Sequence, residues 1–538
     1  MNGKFKREIS LLDLFLIGLG AIFGSAWLFA VSNVASMAGP AGWISWLIAG
    51  LIILVLGIVY AELGSSLPRA GGIIRYPVYS HGPLVGYMIS FITIIAYTSL
   101  IALEVVAVRQ YATFWWPSLT IEGSDSPTLF GWFVQFILLA AFFLLNYRGV
   151  KAFVKFNTLL SFIKYIVPIL IIVILFMHFN SANYTIHGFA PFGSFGIQSA
   201  ISAGGVIFAY LGLHPIVAAA SEVKNPKKTI PVALILTIIV STVIYLLLQL
   251  SFIGSIPTNM LTNGWGDIHQ EFSLPFKDIA IILGLGWLAN LVALDAIISP
   301  GGNGNIYMST TSRLIYAWAK NRTFFKKFAS INNKTGVPQA SLFLTFIMSV
   351  FWTLPFPSWN TLVNVCSVAL ILSYAIAPVS AGALRKNAKH VERPYRVRGM
   401  KMVAPLAFIF AAFIVYWAGW KTVSWILGVQ FLMFLFYCAS KKRVPVQDVS
   451  FKQQVKSVWW MLGFYLGMMI VSYLGSFGGI GLLKNPYDLV SVGAIALLSF
   501  IWSQYTALPK AIIDYDEVEE EMNSDQMNIA DRNRKIGS

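Results

Sequence analysis

The stretch GLGAIFGSA, at residues 18–26, decides the fold because it places three glycines inside an apolar run that is long enough to cross a membrane. A second glycine-rich interruption, GGVIFAYLGLHP, lies at residues 204–215 and includes Pro215. Single glycines in membrane helices often serve close helix packing. Transporters, however, bind substrates where a helix is interrupted near the midplane, so that helix N-termini face anionic groups and freed carbonyls face cations. We interpret the two interruptions as parts of one binding site.

The rest of the chain consists of similar apolar runs. Of its 538 residues, 57% are hydrophobic and 11% are charged, whereas a soluble domain carries about 25% charged residues. A helix needs about 20 apolar residues to cross a bilayer. We therefore predict an all-α polytopic membrane protein with about fourteen spans, approximately at residues 11–34, 41–63, 84–114, 129–146, 156–178, 197–221, 230–253, 279–316, 338–355, 361–384, 402–420, 422–439, 458–475 and 489–505.

The two interrupted runs are spans one and six, which occupy matching places in two sets of five. Because five is odd, the second set enters the membrane with the opposite orientation, as an inverted repeat requires. We predict a permease core of twelve helices over residues 1–445, with inverted repeats at about 10–180 and 195–385. Residues 446–506 add two helices of unassigned role, and residues 507–538 form a polar, acid-rich cytoplasmic tail.

Two stretches depart from simple spans. Span eight, residues 279–316, is too long for one straight helix, and we expect a non-helical stretch around residues 299–302, where Ser, Pro and two Gly follow one another. The loop at residues 65–82 has too few apolar residues to span, so we expect it to be re-entrant or to lie at the membrane interface.

Basic residues are distributed very unevenly among the loops. With a cytoplasmic N-terminus, the inner tail and loops up to the thirteenth helix hold 28 of the 38 Lys and Arg, and the outer loops hold 3. This is the positive-inside distribution of a multi-pass protein of the cell membrane, and it predicts that both termini are cytoplasmic. It also explains the net charge of +16 without a nucleic-acid partner.

Enzymatic chemistry is not indicated. The two cysteines, Cys366 and Cys438, both lie in apolar runs and suggest neither a disulfide nor a zinc site. No nucleotide-binding loop, metal-ligand cluster or nucleophile–base pair is present in the sequence. We expect no metal, no cofactor and no enzyme activity.

Four motifs give the chain a resemblance to a known family. They are residues 18–29, with Ala26 where a glycine is usual, and residues 62–72, 221–231 and 311–317. The chain resembles the amino acid–polyamine–organocation (APC) superfamily of permeases over about 440 residues. The surroundings of Trp287 and of residues 299–301 look closest to a bacterial branch that includes aspartate–proton symporters.

The resemblance implies a rocking fold of five plus five inverted helices and a substrate site at the two interruptions. The substrate carboxylate would meet backbone N–H groups at Gly24, Ser25 and Ala26. The substrate ammonium would meet carbonyls at Ile207, Phe208 and Ala209. Phe208 is either an aromatic gate or a packing residue. The remaining predicted substrate-binding residues are Gly212, Glu104 and Tyr307.

Ionisable residues inside membrane spans are costly and are therefore functional candidates. Lys164 follows a stretch that resembles the one bearing a lysine in proton-coupled members, where the ammonium replaces a sodium ion; its alternative is a lysine that reaches to the interface. His214 and Asp295 are the other proton-coupling candidates, and His214 stands where relatives often carry an acid. Glu104 either lines the site or forms an ion pair with Arg109.

These features predict a secondary transporter that imports an amino acid, an acidic one by the subfamily resemblance, with H+ as the coupling ion. An amino acid exchanger and a transport-inactive nutrient sensor are the alternatives. The expected partners are the small amino acid substrate and the lipid bilayer.

Overall fold

The computed structural model describes residues 9–69, 71–148, 150–332, 334–440 and 449–513, with side chains described outside residues 150–163 and 221. Its first eight residues and residues 514–538 of the predicted tail lie outside the described part. The α-helices are α1 Leu11–Ile22, α2 Ala26–Ala38, α3 Gly42–Ser66, α4 Gly72–His81, α5 Pro83–Ala112, α6 Leu129–Tyr147, α7 Val150–Met177, α8 Gly193–Ser202, α9 Val206–Ala209, α10 Leu213–Ala218, α11 Pro226–Ser255, α12 Ile268–Glu271, α13 Pro275–Ile282, α14 Gly286–Lys320, α15 Gln339–Thr353, α16 Trp359–Asn387, α17 Met400–Trp417, α18 Trp420–Ser440, α19 Phe451–Leu474 and α20 Tyr487–Thr506.

Helices lie on every predicted apolar run, and the all-α polytopic class is confirmed. Within the described ranges, nine helical stretches are long and apolar enough to cross a membrane, or ten if the bent pair of α8 with α9–α10 is one span. The stretch Ala26–Ser66 counts once among them although it contains both α2 and α3. The total of fourteen spans and the inverted repeat therefore stay predictions.

The first apolar run is divided into two helices. Ser10 begins α1 with a capping box, in which its hydroxyl accepts from the Asp13 N–H. Helix α1 ends at Ile22 and α2 begins at Ala26, so the non-helical residues are those of the glycine-rich stretch. The sixth run is divided twice, after Ser202 and again after Ala209. At the first of these points Gly205 has φ +87°, a left-handed conformation that glycine adopts without steric cost.

The expected interruption in span eight is at the wrong place. Residues 299–302 lie inside α14, which runs unbroken from Gly286 to Lys320, and the helix break comes earlier, between α13 and α14, where Gly284 has φ +75°. Proline removes one backbone donor, but membrane helices tolerate it where neighbouring groups satisfy the freed carbonyl. Glycine near it allows close packing: an added Cβ on Gly304 would lie 2.7 Å from the Phe142 ring.

The loop at residues 65–82 contains the short helix α4, and all ten of its residues are buried. Helix α4 packs against α5, α10, α14 and α16. The segment is therefore covered by protein in this conformation. The two C-terminal helices α19 and α20 pack against each other, and α20 also packs on α17 and α16.

Candidate functional site

The two interrupted runs touch each other. A Cβ added to Gly212 would lie 2.9 Å from the Ile22 nitrogen and 3.1 Å from the Gly18 carbonyl oxygen. Only a residue without a side chain permits this approach. The glycine-rich stretches of the sequence thus let the end of α1 lie directly against the start of α10, which forms the floor of the site.

One tyrosine hydroxyl joins the two interruptions. Tyr245 of α11 places its hydroxyl 3.0 Å from the carbonyl oxygen of Ile22 and 3.2 Å from that of Ala209. These are the last carbonyls of α1 and α9, beyond which the helix does not continue. The Ile22 carbonyl also accepts from the Gly24 N–H at 2.9 Å. Tyr307 of α14 donates in the same way to the Leu211 carbonyl. Of the carbonyls predicted to meet the ammonium, that of Ala209 therefore faces a side-chain hydroxyl, whereas those of Ile207 and Phe208 accept from the Tyr210 and Leu211 N–H groups.

A carboxylate of the protein itself lies at the start of α2. The Ser25 N–H donates to Glu104 Oε2 at 2.8 Å, and Asn303 Nδ2 donates to Glu104 Oε1 at 2.7 Å. An added Cβ on Gly24 would overlap both the Asn303 amide and the Glu104 carboxylate. Ala26 opens α2, and the first N–H groups of a helix lack intrahelical partners. Two donors thus converge on one carboxylate at a helix N-terminus, a favourable place for an anion.

An aromatic side chain covers this anion position. Trp359, the first residue of α16, donates from Nε1 to the Ser25 hydroxyl at 2.8 Å. Its ring stacks on Phe29 at 5.0 Å and meets Phe208 edge-on at 6.1 Å. Phe208 is thus part of an aromatic group that closes over the first interruption, a placement compatible with either predicted role.

Lys164 lies under the first interruption rather than at an interface. Its side chain is 1% exposed, and Nζ donates to the Gly20 carbonyl at 3.0 Å. Its charge interacts with both Glu104 and Asp295. Asp295 accepts from the Ser299 hydroxyl at 3.0 Å through Oδ2, and within the described residues its buried Oδ1 has no hydrogen-bond partner. Two buried acids and one buried amine therefore lie near the two breaks, and we call these three residues the triad.

His214 contacts a different set of side chains. Its ring stacks on Tyr374 with centroids 3.8 Å apart, and Nε2 lies 3.1 Å from the Tyr60 hydroxyl. The Tyr374 hydroxyl also accepts from the Leu213 N–H at 3.1 Å. The histidine is thus held in an aromatic cluster on α10, α3 and α16.

The alternative of a Glu104–Arg109 ion pair is not what the structure shows. The Arg109 guanidinium donates to the Thr120 hydroxyl and to the carbonyls of Asp125 and Pro357, at 2.9, 2.8 and 2.6 Å. Glu104 and Arg109 are five positions apart, so the two point to different faces of α5. Arg109 fixes the loop after α5 to the start of α16, whereas Glu104 contacts the first interruption at Ser25.

Sequence reasoning missed Tyr245, Asn303 and Trp359. Tyr245 is the one tyrosine of its long apolar run, and Trp359 follows the turn-forming sequence Phe356-Pro357-Ser358. Each is a weak signal by itself, because aromatic residues are common in membrane helices. No group of three or more metal-ligating side chains is found among the described residues.

Comparison with known proteins places the whole chain among membrane permeases. The family described as amino acid permease matches residues 9–472. An aspartate-proton symporter of Bacillus subtilis (strain 168) is 65% identical over 517 residues, which are 96% of this chain and 99% of that protein. The glutamate/serine transporter AimA of the same organism is 37% identical, over 93% of this chain and 94% of its own length. The branched-chain amino acid permease BcaP of the same organism is 25% identical, over 80% of this chain and 91% of its own length.

Proposed function

The chain belongs to the amino acid permease family, as its motifs predicted, and from that premise we propose that it imports an acidic amino acid together with a proton. It is a multi-pass membrane transporter. The substrate class follows the two most similar relatives described above, an aspartate-proton symporter and a glutamate/serine transporter.

The observation that carries the proposal is the Glu104 carboxylate on the Ser25 N–H. This is the N–H predicted to hold the substrate carboxylate. A buried N–H that bonds one carboxylate oxygen cannot bond a second one equally well, so ionised Glu104 and the substrate compete for the same donor. Removing Glu104 from the donor also frees the Asn303 amide. Ser25 and Asn303 would then offer the substrate carboxylate two donors at the start of α2.

Charge balance in the triad explains why a proton accompanies the substrate. Glu104, Lys164 and Asp295 together carry one net negative charge when all three are ionised, and none when one acid is protonated. Uncompensated charge in a membrane interior costs several kcal/mol. The protonated triad is therefore the form that admits an anionic substrate group. Protonated Glu104 is no longer an anion and so no longer competes strongly for the Ser25 N–H.

The transport cycle follows from this competition. From the outer side, a proton binds to the triad, Glu104 leaves Ser25, and the substrate carboxylate takes its place. The substrate ammonium is held by the carbonyls that, in this structure, accept from the Tyr245 and Tyr307 hydroxyls. On the inner side the proton leaves, ionised Glu104 returns to Ser25, and the substrate is displaced. Lys164 on the Gly20 carbonyl links the triad to the end of α1.

We place both termini in the cytoplasm, since the basic residues concentrate in loops on that side. His214 is a further proton-coupling candidate, but its aromatic surroundings supply no carboxylate partner within the contacts described, so we assign it second rank.

Uptake by the purified protein in liposomes tests the function. Radiolabelled aspartate uptake is competed with each standard amino acid under an inward proton gradient. Strong competition by aspartate and glutamate, with little by lysine or leucine, is the expected result. Binding of aspartate without any flux would instead identify a sensor, and flux that requires internal amino acid but no proton gradient would identify an exchanger.

A further inference from the structure

The chain does not leave the fold after α20. Residues 507–513, called here the anchor segment, run across the ends of α4 and α16. The Leu508 N–H donates to the Ser80 carbonyl at 3.0 Å and the Ile512 N–H to the Tyr79 carbonyl at 3.2 Å, while Asn387 Nδ2 donates to the Leu508 carbonyl at 2.8 Å. The anchor segment thus fixes the start of the C-terminal tail beside the last residue of α16.

The surface next to the anchor segment is strongly basic. Glu392 is the single acid between α16 and Met400, and it pairs with Lys227 at 2.8 Å. The exposed cations around it, called here the basic face, are Lys386, Lys389, Arg396, Arg398, Lys401 and Lys510. No ion pair is found for any of these six side chains among the described residues.

The basic face surrounds an ion-pair cluster that ties α3 to α16. Glu62 of α3 accepts from Arg385 Nε at 2.7 Å through Oε1 and from the Val397 N–H at 2.8 Å through Oε2, and Arg393 Nε lies 3.7 Å from Oε1. Burial lowers the pKa of Arg393, and the neighbouring cations Arg385 and Arg396 lower it further. One carboxylate therefore holds together a loop that is crowded with positive charge.

The chain itself carries the complementary charge. Residues 514–521, which follow the anchor segment directly, include six acids in eight positions, namely Asp514, Asp516, Glu517, Glu519, Glu520 and Glu521. We propose that this acidic stretch docks on the basic face and holds the α16–α17 loop closed over Glu62. Eight residues extend to about 29 Å at most, which sets how far the acidic stretch can reach from the end of the anchor segment.

The tail has an advantage over free anions for this surface. Its start is fixed at the anchor segment, so its local concentration at the basic face is about millimolar, as for other short tethers. Anionic lipid headgroups carry the same charge and form the competing occupant. The tail is favoured because the hydrogen bonds of the anchor segment direct it to this surface.

Docking has a consequence for transport that rests on the proposed function. If the ends of α3 and α16 part when the site opens to the loop side, the Glu62 cluster must break. A docked tail neutralises the repulsion among the loop cations and so stabilises the closed arrangement. The tail would then slow turnover, and high ionic strength would relieve the effect, because the Debye length falls to about 3 Å at 1 M salt.

Docking is tested without transport, by thiol accessibility. Lys389→Cys, on a Cys438→Ser background, is modified with a bulky maleimide in detergent, with three tails compared: the full tail, a truncation after Ile513, and a tail with its six acids changed to Asn or Gln. The truncation keeps the anchor segment. We expect the full tail to slow modification severalfold at low salt and both altered tails to remove this protection. Lys334→Cys, an exposed cysteine outside the basic face, is the matched control and should react equally in all three.

Reversing the charges gives the second arm. The combined changes Lys389→Glu, Arg396→Glu and Arg398→Glu should remove the tail's protection of the cysteine in Lys386→Cys. A tail that carries Lys at the six acidic positions should restore this protection. Equal modification rates with all three tails would overturn the proposal. So would protection that appears only when anionic lipid is added and does not depend on the tail, because that result assigns the basic face to lipid. Neither outcome bears on whether the protein transports amino acids.

Discussion

The Glu104 carboxylate lies 2.8 Å from the backbone nitrogen of Ser25, although 79 residues separate them in the chain. This bond joins the middle of α5 to the start of α2, at the interruption of the first span. The position predicted for the substrate carboxylate is therefore occupied by a side chain that one proton can neutralise. Under the proposed function, binding of a proton and binding of a substrate carboxylate are linked through this one hydrogen-bond donor.

Gly24 tests the anion position sterically. Its added Cβ would overlap the Glu104 carboxylate and the Asn303 amide, which would displace the carboxylate from the Ser25 N–H and the amide from the carboxylate. Because a misplacement of about 1 Å at a reacting or binding centre can cost up to 100-fold, we expect Gly24→Ala to lower aspartate uptake roughly 10- to 100-fold, and Gly24→Leu to abolish aspartate binding. Gly301→Ala is the control, since an added Cβ there meets no atom within 4 Å. Normal affinity in Gly24→Leu would rule out this site.

Tyr245 tests the link between the two interruptions. Phe at this position keeps the ring but leaves the Ile22 and Ala209 carbonyls without their shared donor. A buried acceptor left unsatisfied costs about 1–3 kcal/mol. We expect Tyr245→Phe to reduce uptake about tenfold, corresponding to about 1.4 kcal/mol, with normal membrane insertion. Tyr437→Phe, which removes a hydroxyl bonded to Gln454 on other helices, should leave uptake near the parent level.

Lys164 tests the charge balance of the triad. Lys164→Ala removes the amine from the Gly20 carbonyl and leaves two buried acids without their cation. Arginine retains a charge but holds its proton at any working pH and does not fit as a compact point charge. We expect both variants to lose uptake driven by a proton gradient. Accumulation of aspartate against its gradient by Lys164→Ala, with an unchanged pH dependence, would show that Lys164 is not a coupling residue.

The sequence predicted the elements of the site better than their contacts. Glycine runs at 18–26 and 204–215 mark the interruptions because only glycine allows the backbone approach seen at Gly212. Lys164 and Asp295 were identified because a charged residue inside an apolar run is energetically costly and is therefore a functional candidate. These signals are local in the sequence. The partner of Glu104 is not local in the sequence. The spacing of residues along α5 could only show that Arg109 lies on another face of the helix, and it could not identify a partner on a different helix.

Two further features show why local patterns failed. The Ser-Pro-Gly-Gly sequence at 299–302 suggested a break, yet α14 continues through it because neighbouring helices stabilise it from outside. Tyr245 and Trp359 act only where distant helices meet, so their roles depend on packing that no periodicity encodes. The tyrosine and tryptophan have ordinary surroundings in the sequence, and the structure was required to place them.

Topology is tested by labelling from outside the cell. Asn263 lies in the loop between α11 and α13, and Lys389 in the loop after α16. The distribution of basic residues puts the first loop outside and the second inside. A membrane-impermeant maleimide should modify Asn263→Cys in intact cells and spare Lys389→Cys until the cells are opened. The reverse pattern would contradict the orientation on which the direction of import depends.

The most direct test of the central claim is aspartate accumulation in liposomes under an imposed inward proton gradient, compared between the parent protein, Glu104→Gln and Glu271→Gln. Glu271 is an exposed acid on α12, outside the site, and serves as the matched control. We predict that the parent and Glu271→Gln accumulate aspartate against its gradient and lose this when the proton gradient is collapsed. Glu104→Gln, which cannot change charge at the Ser25 donor, should not accumulate it. Accumulation by Glu104→Gln that still follows the proton gradient would contradict coupling through Glu104, and accumulation by the parent that ignores the gradient would contradict proton symport itself.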